Sequence, residues 1–138
     1  MTRRNPLPWL YLLLGLAQAV HSVEEVLTGL WQNLPVVTSW LHTRMPWIPE
    51  LEWNAPGFAA ANIVIVAFLL GTSGFVFLHL PWTKHLVRVV AVVEMLNGLG
   101  HLSAALVRGG YFSGSISAVF LFMLGLLTLL SVEKSYGS

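Results

Sequence analysis

Four apolar runs dominate the chain: Trp9–Leu30, Phe58–Leu80, Val89–Val107 and Ser115–Val132. At 1.5 Å per helical residue, each is long enough to cross a hydrocarbon core of about 30 Å. Helix breakers sit between them: Pro6 and Pro8, Pro35, Pro56-Gly57, Pro81, and Gly109-Gly110. The pattern predicts an all-α fold, a four-helix transmembrane bundle forming one integral-membrane domain over residues 1–138. One connection, roughly Trp31 to Gly57, is much longer than the others. It holds four prolines, Trp40 and Trp47, and an apolar-rich segment, Val36–His42, that reads as a short interfacial helix. Such a loop can act as a lid over the bundle or simply as an interfacial anchor.

Inside these runs the polar exceptions fall in two clusters. Span one carries His21-Ser22-Val23-Glu24-Glu25, and span three carries Glu94, Asn97 and His101. Spacings of i, i+3, i+4 and of i, i+3, i+7 put each cluster on one helix face. Spans one and three run in the same direction, so depths compare directly: His21 and His101 each lie about 18 Å above the inner ends of their spans. Glu24 and Glu25 then lie one turn further out and Glu94 two turns further in. Asn62 of span two enters at the level of Glu24 and Glu25. The expectation is one cavity near the midplane, opening outward, that collects His21, Glu24, Glu25, Asn62, Asn97 and His101, with Glu94 as its floor. Three bare glutamates in lipid would cost roughly 8–10 kcal/mol on insertion scales, so protons, a metal ion or mutual pairing must neutralise them.

Composition narrows the class. Of 138 residues, 56% are hydrophobic and only 9% charged, against about 25% charged in soluble domains. The net charge of +1 leaves no basic face for nucleic acid. Without cysteine there are no disulfides, thiolate metal sites or cysteine nucleophile. The apolar run after Arg3 and Arg4 is too long and too polar at its end for a cleaved signal peptide, and reads as a retained span. Arg3, Arg4, Lys84, Arg88 and Lys134 fall on one side and Arg44 and Arg108 on the other, which predicts both termini in the cytoplasm. Trp9, Trp31, Trp53 and Trp82 fall near span ends as interfacial anchors. His42, His79 and His85 read as interfacial, and Arg108 either snorkels or meets an anionic head group. Gly71, Thr72, Ser73, Gly74, Gly98, Gly100 and Gly125 read as sites of close helix packing. Ser73, Ser103, Ser115 and Ser117 have no base–orienter pattern in sequence, so a serine hydrolase has little support.

The polar set resembles the HXXEE-motif family of small membrane proteins. The resemblance rests on His21-Ser22-Val23-Glu24-Glu25, with Glu94, Asn97 and His101 in the third span, and extends from about Trp9 to Val132. Tyr111-Phe112-Ser113-Gly114 is similar to that family's Tyr-x-Pro-Gly signature, with Ser113 in place of proline. The resemblance implies this residue list and no settled activity.

Three uses of the set follow from its chemistry. In the first, His21, Glu24, Glu25, Glu94 and His101 ligate a divalent metal, zinc or iron, as one or two ions. Such a site activates water or oxygen toward a lipophilic substrate, with Glu24, Glu25 and Glu94 as the catalytic carboxylates and Asn62, Asn97 and Tyr111 in support. In the second, metal-free, reading a protonated carboxyl beside an imidazole isomerises or cyclises a lipophilic substrate. In the third, a ladder of Glu94, the histidines and Glu24/Glu25 carries protons or cations, as a transporter or sensor, which in so small a bundle calls for a homo-oligomer. A purely structural use is also open: Glu25 paired with His101, and Glu94 with Asn97, to set helix register.

Overall fold

The computed structural model describes residues 5–136, and Arg3 and Arg4 lie outside them. The described chain forms five helices: α1 (Leu7–Leu27), α2 (Leu34–Arg44), α3 (Ala55–Phe77), α4 (Thr83–Arg108) and α5 (Ser115–Tyr136). Four of them, all but α2, are long and apolar enough to cross a membrane. The helix Leu34–Arg44 coincides with the short segment expected inside the long loop.

Local chemistry sets the ends. Prolines occupy the first turns of α1, α2 and α3, where a missing N–H costs nothing. Asn54 caps α3 by accepting from Gly57 N at 2.8 Å. The helix ends lie within six residues of expectation, and two of the differences have a local cause. α1 stops at Leu27, because Gly29 takes a left-handed conformation (φ 71°) that turns the chain into a 3-10 turn over Leu30–Gln32. α4 starts at Thr83, six residues before Val89, because nothing after Pro81 breaks the helix. Lys84, His85 and Arg88 are therefore helical and not part of a loop. At the other end of α4, Gly109 (φ 69°) closes the helix with Gly110 N bonding to Ala105 O and Gly109 N to Leu106 O.

α1 packs on α3 and on α5, and α5 packs along α4, whereas α3 and α4 barely touch. The end holding the chain termini, called here the terminal end, carries the apolar core: Leu7, Tyr11, Leu14, Leu69, Val76, Val87, Val90, Leu121 and Val132. Along α1 the same buried stripe continues as Gln18, His21, Ser22 and Glu25, and along α4 as Glu94, Gly98 and His101. Each stripe thus changes from apolar to polar on one face, and the bundle interior is an apolar plug in one half and a polar chamber in the other.

Close approach of α4 and α5 rests on two of the expected glycines. A Cβ on Gly98 would lie 2.8 Å from Ala118 O and Phe122 N, and one on Gly125 would lie 2.9 Å from Met95 N. Gly71, Gly74 and Gly100, also expected at packing contacts, instead face open space, with nothing within 4 Å of an added Cβ. Gly15, on α1 against Leu69 and Leu70, does pack closely.

Candidate functional site

Three buried side chains from the two polar stripes meet: His21, Glu25 and His101, with one ligand-type atom from each lying within 4.8 Å of the others. Glu25 Oε1 is 3.2 Å from His21 Nε2 and 3.0 Å from His101 Nε2. The two imidazoles are perpendicular, with centroids 4.6 Å apart. His21 is fully buried, and Glu25 and His101 nearly so. Its histidines lie six to seven residues, or about 10 Å, from the loop ends of α1 and α4, and Glu25 is two residues from the end of α1. The two histidines thus sit four to six residues from the middle of their helices, slightly closer to the midplane than to that surface.

The outer ring nitrogens are tied down. His101 Nδ1 donates to Ser113 O at 2.6 Å. His21 Nδ1 lies 2.8 Å from Ser117 Oγ. Ser117 Oγ donates its single proton to Glu24 Oε2 at 2.5 Å, so it accepts from His21. With both Nδ1 atoms acting as donors, the Nε2 atom of each ring is the one that faces Glu25. His21 Nε2 is buried without a hydrogen-bond partner: its 3.2 Å approach to Glu25 is off the hydrogen-bonding line.

Glu24, expected in the same cluster, is turned away from it. Its carboxylate accepts from Tyr111 Oη (2.8 Å), Ile116 N (3.2 Å), Ser117 N (2.8 Å) and Ser117 Oγ. It thereby closes the open N–H groups at the start of α5, where a negative charge also meets the positive end of the helix. Glu24 and Glu25 point about 100° apart, on either side of His21, and the start of α5 takes up the Glu24 side. Glu94, expected to ligate or to floor the cavity, stays with Asn97, whose side chain hydrogen-bonds it, and its Oε2 is buried without a partner. It lies two turns below His101 on α4, outside the three-residue group. Asn62, expected in the cavity, instead accepts from Ser22 Oγ at 2.7 Å, in a chain from Gln18 Nε2 to Ser22 Oγ (3.1 Å) between α1 and α3. The single wide chamber anticipated from depth is thus a compact triad with satellites.

Residues not foreseen as part of the site complete it. Gly114 (φ +83°) brings the turn before α5 against both rings: a Cβ there would sit 2.8 Å from His101 Nδ1 and 2.8 Å from His21 Cε1. Ser113 supplies the carbonyl for His101, and its hydroxyl bonds to Thr28 Oγ1, which in turn donates to Glu24 O. Ser117 links Glu24 to His21. The signal for this set was present in the Tyr111–Gly114 signature, but the contacts run between distant segments and have no periodicity to betray them.

The lettered positions of the His-x-x-Glu-Glu motif therefore have two jobs. His21 and Glu25 face His101 in the interior, while Glu24 holds the segment from Tyr111 to Ser117 that orients both imidazoles. No curated protein and no solved structure matches the chain significantly. A family match covers residues 12–128, spanning the motif, the third-span residues and the Tyr111–Gly114 turn. The chain belongs to the family described as proteins of unknown function with HXXEE motif.

Proposed function

We propose that His21, Glu25 and His101 form an intramembrane site for one divalent metal ion, zinc or iron, and that the protein is an enzyme acting on a lipophilic substrate from the membrane. The supporting observation is that Nε2 of His21 and Nε2 of His101 converge on Glu25 Oε1, with His21 Nε2 buried and without a hydrogen bond. The spacing fits an ion: bonds of about 2.0–2.1 Å in tetrahedral geometry hold ligand atoms about 3.3 Å apart. The two edges to Glu25 Oε1 are 3.2 and 3.0 Å. Metal-bound histidines usually donate their other N–H to a carbonyl or carboxylate. His101 does so to Ser113 O and His21 does so through Ser117 to Glu24. Glu25 directly and Glu24 through Ser117 together balance the charge of one divalent cation. With Glu94 outside the group, no second ligand set is present among the described residues.

Three protein ligands leave a position open to reactant, the arrangement of catalytic and not structural zinc sites. The metal would supply Lewis acidity toward water or, as ferrous iron, redox chemistry with oxygen. The chain's own residues hold the Nδ1 protons, fix the ring planes and exclude bulk water. With both termini expected in the cytoplasm, the site would lie in the non-cytoplasmic half of the membrane.

The 3.0 Å His101–Glu25 separation also suits an imidazolium–carboxylate hydrogen bond, which favours the metal-free acid–base reading or a purely structural pair. Metal analysis separates these. Protein purified in detergent without chelator is expected to carry about one zinc or iron per chain. Glu25→Gln and His101→Ala are expected to lose it while keeping helical circular dichroism. Less than a few tenths of an ion per chain in the parent protein, after incubation with either metal, overturns the metal reading.

A further inference from the structure

Two cavities lie end to end between α2 and the loop end of α4, sharing Val37, Ala104 and Phe112 in their walls. The first, about 370 Å³, reaches His101 and Asn97, with Gly100 in its wall. The second, about 680 Å³, reaches Arg108 and Trp40. Their walls are otherwise almost wholly apolar. His101 and Arg108 are seven residues apart on α4, so their backbone positions are about 10 Å apart along the helix axis.

Arg108 is the cation left for a ligand. Arg44, the other described cation at this end, is held on α2, with its guanidinium 3.9 Å from the Trp40 ring centroid and bonded to Trp40 O at 3.2 Å. Arg108 is exposed and has no ion-pair or hydrogen-bond partner among the described residues. A neutral lipophile would gain nothing from it. A carboxylate or phosphate head would gain a charge-assisted bond there, while its chain followed the apolar walls inward.

We propose that this double cavity binds an anionic amphiphile, a lipid with a phosphate or carboxylate head, with its charge at Arg108 and its reacting portion beside His101. The proposal names the substrate class of the proposed enzyme, and rests on the triad being its reaction centre. Head and reacting bond must then be about 10 Å apart or less, as a phosphate and the nearest acyl carbonyl are in a glycerolipid. Asn97 and His101 are the polar residues of the inner cavity besides Asn33.

The test is titration of the detergent-purified full chain with dodecyl phosphate, with dodecanol and inorganic phosphate in parallel. Parent protein is compared with Arg108→Gln, Gly100→Leu and Glu25→Gln, and metal content is measured in each. A side chain at Gly100 meets nothing within 4 Å at its Cβ, so leucine fills the inner cavity without displacing a helix. Dodecyl phosphate is expected to bind at least about tenfold more tightly than either fragment, and Arg108→Gln and Gly100→Leu each to weaken it about tenfold. Both variants keep the parent's metal content, and Glu25→Gln keeps dodecyl phosphate binding. Dodecanol binding as well as dodecyl phosphate, or unchanged affinity in Arg108→Gln, overturns the proposal. So does binding lost with Glu25→Gln but not with Arg108→Gln, because the anion would then sit on the metal. If the parent lacks metal but the Arg108 and Gly100 effects appear, the cavity assignment stands and the metal reading falls.

Discussion

A methyl group on Gly114 would lie 2.8 Å from Nδ1 of His101, so the turn before α5 and the imidazole of α4 fit together only because this residue has no side chain. The same methyl would press on His21 Cε1 from the other side. Gly114 also holds φ +83°, which costs an alanine about 1–2 kcal/mol. Gly114→Ala is therefore expected to displace both rings and weaken metal binding at least about a hundredfold. The four long helices, which do not depend on this turn, persist. Chelator-competition titration alongside circular dichroism checks it, and an alanine variant with parental affinity contradicts the described geometry.

Glu24 and Glu25 are neighbours with different expected phenotypes. Glu25→Gln removes a ligand charge and is expected to abolish metal retention while the protein folds. Glu24→Gln leaves the three ligand side chains in place but cannot match four accepted hydrogen bonds with one oxygen. It is expected to lose about 1–2 kcal/mol of stability and to keep stoichiometric metal. Metal content and thermal unfolding in detergent, measured on both variants, separate the two roles. Identical loss of metal in both would place Glu24 on the ion.

Ser117 acts on the triad only through His21. Ser117→Ala strands the Nδ1 proton of His21 in a fully buried position and leaves Glu24 without its shortest bond. Metal affinity is expected to fall about 10–100-fold, with little change in the unfolding temperature of the metal-free protein beyond that of losing one hydrogen bond. A variant with unchanged affinity would show that His21 does not need this partner.

The spans were legible because bilayer thickness imposes a length that composition cannot hide. The His21–Glu25 and Glu94–His101 stripes were legible because helical periodicity puts i, i+3, i+4 and i+7 on one face. Periodicity cannot say which of Glu24 and Glu25 faces the partner helix, since both lie within one turn of His21; the start of α5 decides that. It also cannot foresee Ser117 or Gly114, whose roles arise from segments more than 85 residues from α1. Depth counting did not bring Asn62 into the cluster because equal height does not mean equal azimuth: Asn62 faces Ser22. Glu94 lies two turns from His101, as counted, too far along the axis to join the triad.

The glycines of the long helices offer a test of the fold that is independent of the site. At Gly98 and Gly125 an added Cβ would meet backbone atoms of the facing helix at 2.8–2.9 Å, and backbone cannot rotate out of the way. Gly98→Ala and Gly125→Ala are expected to push α4 from α5 and to cost about 1–3 kcal/mol each, the usual effect of overpacking. Because His101 rides on α4, and Ser117 and Gly114 lie at the start of α5, Gly98→Ala should also loosen metal binding. Gly71→Ala and Gly74→Ala meet nothing within 4 Å and should be neutral or slightly stabilising, since alanine favours the helix by up to about 1 kcal/mol. Thermal unfolding of the four variants in one detergent gives the comparison. If Gly71→Ala and Gly74→Ala destabilise as much as Gly98→Ala and Gly125→Ala, α3 is packed against a surface that the described chain does not provide.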